Sequence, residues 1–217
     1  MLSVQTQLRH RQTSRCHHQS GVGMIEVLVT LFILAIGMLG VASLQFIGAF
    51  SNSDALNRAN AVLVAQQTAE RLRANSFVSA SFSGLVADDR YFDPDTYNFK
   101  QLSCGSGEPG WECFCKDKPA SIRDCNANTC SSAELATYDG WQLTCAATKI
   151  NPSVTLDVSC NDNNLADADA CSAGSAQQIM LSWPAENWQN IDRKLNPVCN
   201  PSSDAEPRDC VLLELVL

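Results

Sequence analysis

From Val27 to Leu44 the chain runs VLVTLFILAIGMLGVASL, eighteen residues without a charge. That length reaches the lower range for crossing a bilayer and exceeds the roughly 7–15-residue core of a signal peptide. Residues 1–21, before the run, hold Arg9, Arg11 and Arg15 and no acid, together with His10, His17 and His18. Basic residues ahead of an apolar segment place the N-terminus in the cytoplasm. The rest of the chain is expected on the far side of the membrane.

No proline interrupts the chain before Pro94. Residues 51–75 keep a helical rhythm, with Ala55, Ala59, Val62, Ala65, Ala69 and Leu72 at three- and four-residue steps and Leu56 and Leu63 beside them. Arg58, Glu70, Arg71 and Arg73 are expected to face water. One helix from Met24 to Asn75 would be roughly 78 Å long at about 1.5 Å per residue. Its first half, residues 22–50, suits lipid, and its second, residues 51–75, suits packing on a folded head, residues 76–217.

The head begins with a Gly-, Ser-, Asp- and Pro-rich stretch, residues 76–137, read as an irregular, cross-linked connection. Four strand-like runs follow, Trp141–Ile150, Ser153–Cys160, Gln178–Trp183 and Val211–Leu217. Asn151-Pro152 reads as the turn of a hairpin between the first two. A long helix followed by short strands predicts an α+β fold with a small antiparallel sheet.

Eleven cysteines are present. Cys16 lies in the basic leader. Cys104, Cys113, Cys115, Cys125, Cys130, Cys145, Cys160, Cys171, Cys199 and Cys210 make an even set, which in an exported chain reads as a disulfide framework. The paired C-x2-C spacing of a zinc site is missing, and beyond residue 21 there is no histidine to help. Five of the ten lie in residues 104–130 and five after, so complete pairing requires at least one bond between the two groups.

The residue that carries most information is Glu26. A carboxylate at the edge of an apolar span needs a partner or a reason. Gly21 precedes it by five residues. The segment Gly21-Val22-Gly23-Met24-Ile25-Glu26-Val27-Leu28-Val29 resembles the prepilin peptidase site of type IV prepilins and type II secretion pseudopilins, and the resemblance extends over about residues 9–75. It implies the type IV pilin fold and cleavage between Gly21 and Val22, with removal of leader 1–21. It further implies N-methylation of Val22 and an assembly role for Glu26, fifth in the cleaved chain. In a filament core of bundled apolar helices, an unpaired ammonium and an unpaired carboxylate are each costly to bury. Pairing the Val22 amine of one subunit with Glu26 of its neighbour offsets both costs.

Gly37 and Gly40 are the weak points of the apolar half, each costing about 1 kcal/mol relative to alanine. Two features depart from major pilins. Val22 stands where phenylalanine is usual, and the apolar half lacks proline. Within the family the chain is most like minor pilins of the pilus-modification kind, through residues 25–29 and 36–45, Ile179–Trp183 and Leu213-Glu214-Leu215. The resemblance also implies Cys199–Cys210, a bond closing a loop onto the last strand.

The implied partners are other major and minor pilins through the N-terminal helix, prepilin peptidase and the inner-membrane assembly platform. The implied location is the inner membrane with a periplasmic head, then the pilus. No cofactor is implied. The competing functions are a type II secretion pseudopilin and a membrane-anchored periplasmic enzyme or receptor. Beyond residue 21 there are 12 Lys+Arg against 23 Asp+Glu, a net charge of −11, and no basic run, which disfavours direct nucleic-acid binding. The same residues hold no histidine, G-x-S-x-G elbow or P-loop, which argues against nucleophile–histidine catalysis. Asp162-Asn163-Asn164, with Asp167 and Asp169, only loosely resembles a calcium loop and reads as a solvated acidic loop. Trp141 and Trp183 are expected in the core, while Trp111 and Trp188 are open to either reading.

Overall fold

The first helix, α1 (Met24–Ala74), is 51 residues long. Its start is set by Gly23, whose carbonyl accepts the Glu26 and Val27 N–H groups at 2.9 and 3.4 Å. Arg71 and Arg73 occupy its last turn, where positive charge complements the helix dipole. The computed structural model describes residues 23–79, 84–100, 102–105, 108–166, 169–185, 194–201 and 206–217. These fall into two compact units divided after Phe50.

In the second unit, α1 buries Ala61, Val64, Ala65, Thr68, Ala69 and Leu72. This stripe is rotated from the expected one. Ala65, Ala69 and Leu72 are shared, but Ala55, Ala59 and Val62 are exposed, as are Leu56 and Leu63. The buried Thr68 explains part of the shift: its hydroxyl donates to Val64 O at 2.8 Å, so a polar residue can occupy the core face without an unmet group. Arg71 also departs from expectation, as described below.

Residues 76–137 hold more structure than an irregular connection. A short hairpin, β1 (Phe77–Val78) and β2 (Leu85–Val86), is followed by 3-10 turns at Asp89–Phe92 and Pro94–Thr96 and by α2 (Gly110–Phe114). The largest correction concerns Trp141–Ile150. Rather than a strand, most of it is the second half of α3 (Ser132–Thr148). Ser131 caps that helix: its Oγ accepts the Glu134 N–H at 3.3 Å, and the Glu134 carboxylate accepts the Ser131 N–H at 2.9 Å. The buried residues Ala136, Asp139, Gly140, Leu143 and Ala147 repeat at helical intervals. Asn151-Pro152 therefore links α3 to the sheet and is not a hairpin turn. Gly140 is obligatory at its place: a Cβ there would lie 2.7 Å from Thr96 O.

The remaining strands, β3 (Thr155–Asn161), β4 (Ala176–Pro184) and β5 (Arg208–Val216), form an antiparallel sheet in the order β3-β4-β5. Leu156 and Val158, Ile179, Leu181 and Trp183, and Leu215 share a core with the buried stripe of α1 and with Leu143 and Ala147 of α3. The fold is α+β, with the long helix packed on a small antiparallel sheet, as in type IV pilins.

The cysteines pair as Cys104–Cys113, Cys115–Cys145, Cys125–Cys130, Cys160–Cys171 and Cys199–Cys210. Four of these bonds are local. Cys115–Cys145 joins the segment after α2 to α3 across 30 residues, and a loop of that size corresponds to about 3–4 kcal/mol in the chain-entropy account.

A buried carboxylate links α1 to the rest of the head. Asp139 of α3, 4% exposed, is paired with the Arg71 guanidinium. It also accepts from Asn75 Nδ2 at 2.7 Å and from the Tyr91 hydroxyl at 2.6 Å. Arg71 donates further to Gln142 at 2.7 Å. Burial, and then the hydrogen bond to Asp139, raise the Tyr91 phenol far above its usual range, so it remains a donor at any physiological pH.

The acidic loop has a structural use. Asp162 Oδ1 accepts from the backbone N–H groups of Ser172 (3.0 Å) and Asn164 (3.2 Å) and from Ser175 Oγ (3.1 Å). These bonds close the loop beside Cys160–Cys171. Ser172 holds the Asp162 carboxyl below its usual range, through its hydroxyl first and its backbone N–H second.

Two outcomes are expected. Asp139→Ala leaves Arg71 without its buried partner and should destabilise the head by about 3–5 kcal/mol. Tyr91→Phe should cost about 1.5–3 kcal/mol. Urea unfolding of the detergent-solubilised chain, followed by near-UV circular dichroism, measures both. For Asp162 the depressed carboxyl means that its contribution is complete above the ordinary carboxylate range and is lost as pH falls through the lower folded-state value. The protection factor of the Ser172 amide, its exchange rate corrected for the intrinsic pH dependence, should therefore fall on acidification through the lower folded-state value and stay constant between neutral pH and the ordinary carboxylate range.

Candidate assembly site on the N-terminal helix

In the first unit, every residue from 23 to 49 is exposed. Leu28, Phe32, Ile36 and Leu39 are between 56 and 71% exposed. The apolar side chains therefore surround the helix instead of forming a stripe. A helix that is apolar on all sides belongs inside lipid or inside a bundle of other helices. Among the described residues, α1 is the one helix long and apolar enough to cross a membrane.

Glu26 is the third residue of α1 and its only first-turn acid. Its side chain is exposed, with no hydrogen-bond partner among the described residues. In that position it meets the positive end of the helix dipole, worth about 0.3–1 kcal/mol at an exposed site. The helix dipole is a second reason for an acid here, one that the spacing from Gly21 does not show. Gly21, Val22, Arg9, Arg11 and Arg15 lie outside the described residues. The site is thus described from Gly23 onward.

Gly37 and Gly40 lie within an unbroken helix. An added Cβ at either would meet nothing within 4 Å, so no contact among the described residues of this unit requires glycine there. A close approach by another helix is one physical use for such gaps. Thr30 keeps its hydroxyl satisfied by donating to Val27 O at 2.9 Å, which allows a polar residue inside the apolar run.

Other candidate residues are dispersed. Trp183 is buried in the core, 4% exposed. Trp141 is half-buried and donates its indole N–H to Phe114 O at 2.8 Å. Trp111 and Trp141 line one open groove together with Arg71, Lys116 and Lys149. Trp188 and Asp167 lie outside the described residues. Among the described residues no group of three or more His, Cys, Asp or Glu side chains is placed to hold a metal ion. Sequence reasoning missed the Asp139 cluster entirely. Ser131-x-x-Glu134 could have located the start of α3, but no signal along the chain marks Asp139 and its distant partners.

Residues 16–42 match the family model of the prokaryotic N-terminal methylation motif. The match covers the N-terminal segment alone and contains Gly21, Glu26, Gly37 and Gly40. No curated protein matches the chain, and no solved structure does. The motif, the exposed apolar helix and the disulfide-linked α+β head together make the chain similar to prepilin-type proteins, the type IV pilins and pseudopilins, and fit a membrane-anchored N-terminus.

Proposed function

We propose that this chain is a minor pilin, cleaved by prepilin peptidase between Gly21 and Val22, methylated on Val22 and taken into a type IV pilus through its N-terminal helix. Within that class it fits the type IV pilus modification protein PilV. Its work is structural: it primes or joins the filament and through it influences adhesion, twitching motility or DNA uptake. Its partners are other pilins, the peptidase and the inner-membrane assembly platform.

The observation that carries this reading is the helical half Met24–Phe50, apolar on all sides and exposed within its unit among the described residues, which starts with one carboxylate inside a methylation motif. Before assembly the helix sits in the inner membrane with its N-terminus at the cytoplasmic face, where the basic leader and Glu26 both reach water. In a filament the lipid is replaced by the helices of neighbouring subunits. Cleavage leaves a new amine four residues before Glu26. That amine loses its water in the helical core, and a neighbour's Glu26 is the group that compensates it. Gly37 and Gly40 are points where the helix can loosen as the subunit leaves the membrane.

Two measurements bear on this. N-terminal sequencing of membrane-derived protein should give a chain starting at Val22, while a start at Met1 or inside Ala42–Ser51 contradicts the cleavage site. Glu26→Ala should be processed normally, because the peptidase reads Gly21 and the leader. It should then fail to leave the membrane, since deleting one member of a buried pair costs about 3–5 kcal/mol, two to four powers of ten in an assembly equilibrium. Glu26→Gln should be intermediate. The readout is processed protein in sheared pili relative to the inner membrane. Wild-type levels of Glu26→Ala in pili would reduce Glu26 to an interfacial acid.

A further inference from the structure

We infer that the outer edge of β5 is a docking edge for an extended segment of another protein, one that carries a lysine or arginine between two apolar residues. The two edges of the three-stranded sheet differ. In an antiparallel strand, alternate residues turn both N–H and C=O the same way. At the β3 edge, Leu156 turns outward, and its N–H and C=O are both met by the Asn98 side chain, at 2.9 and 2.7 Å. Asn98 also donates its own N–H to Thr144 Oγ1 at 3.2 Å, so α3 and this asparagine cover the edge. It does so from a left-handed backbone, φ 59°, a conformation that asparagine tolerates better than most residues.

The β5 edge begins in the same manner. Arg208 turns outward, and Asn200 accepts its N–H and donates to its C=O, both at 2.8 Å. Among the described residues the cover ends there. By the same alternation Leu212, Glu214 and Val216 turn their backbone groups away from β4, which bonds Val211, Leu213 and Leu215. No described donor or acceptor meets these outward groups. An open edge of this kind is usually protected by proline, lysine, a bulge or brevity. Residues 211–217, VLLELVL, contain no proline or lysine and one charged residue, Glu214, and β5 is nine residues long.

The unmet groups specify the occupant's backbone, which must be an extended strand. The side chains specify its sequence. Leu212, Glu214 and Val216 project on the face of the sheet away from α1; Leu212 lies opposite Met180, and Val216 is 57% exposed. On that face Glu214 accepts from Gln178 Nε2 of β4 at 3.2 Å and remains exposed. A strand laid against them presents an apolar residue to Leu212, a cation to Glu214 and an apolar residue to Val216. A second copy of this chain fits less well. It would bring a surface of net charge −11 beyond residue 21, and in the register that sets Glu214 opposite itself, like charges meet. This inference stands apart from filament membership.

The test uses the full chain in detergent micelles and a fluorescent, end-capped peptide, Thr-Val-Thr-Lys-Thr-Val-Thr. Anisotropy should show saturable binding. Replacing the peptide lysine with glutamate should weaken it about fivefold, and Glu214→Lys in the protein should reverse that preference. Leu212→Pro removes one outward N–H without touching the β4 ladder and should abolish most of the binding. Hydrogen exchange at Leu212, Glu214 and Val216 should be fast in the chain alone and slowed by the peptide. The inference is overturned by no saturable binding at millimolar peptide, or by binding indifferent to both the peptide charge and Leu212→Pro. It is also overturned if those three amides are already protected in the chain alone: at all concentrations if its own residues cover the edge, or only at high concentration if a second copy does.

Discussion

The constraint on which everything else depends is that α1 has two solvents. Up to Phe50 it offers apolar side chains in every direction and finds no cover within its own unit. From Ala61 onward it buries a stripe in a protein core. At roughly 25 cal/mol per Å² of apolar surface, the first half cannot remain in water, and the missing cover must be lipid or other helices. The apolar half is therefore suited to lipid or to a bundle of other helices.

The second half must hold the head to this helix, and small residues do most of the packing. Ala61, Val64, Ala65, Ala69 and Leu72 share one core with Leu181 and Trp183. Alanines bury little area, so the polar cluster at the end of the helix becomes important. Arg71, Asn75 and Tyr91 converge on Asp139, tying α1, the 3-10 turn at Asp89–Phe92 and α3 together. The five disulfides then constrain loops that carry little apolar surface of their own.

Long-range, one-dimensional features were legible in the sequence. The uncharged run, the absence of proline before Pro94 and the Gly21–Glu26 spacing are all read along the chain, and they yield the long helix and its candidate site. The strands β3, β4 and β5 were legible because Leu156, Val158, Ile179, Leu181 and Trp183 alternate with more polar residues. Helix α3 was not. Trp141, Leu143 and Cys145 also alternate, and the Ser131/Glu134 capping box lies ten residues upstream of the segment that looked like a strand. The rotation of the buried stripe on α1 was hidden for another reason. Apolar residues occur on several faces of residues 51–75, and only tertiary packing selects Val64 and Thr68 over Val62 and Leu63. Asp139 could not have been found by pattern at all, because its partners lie 48 to 68 residues away.

The central claim is that the apolar residues 27–50 are kept from water in the cell, by lipid first and by neighbouring helices afterwards. Single cysteines introduced at Leu34 and Leu39, with Cys16 removed, can be probed by a membrane-impermeant maleimide in intact membrane vesicles and in sheared filaments. The account predicts no labelling at either position in both preparations, and labelling only after denaturing extraction. Rapid labelling of Leu34→Cys and Leu39→Cys in native vesicles or filaments would contradict it.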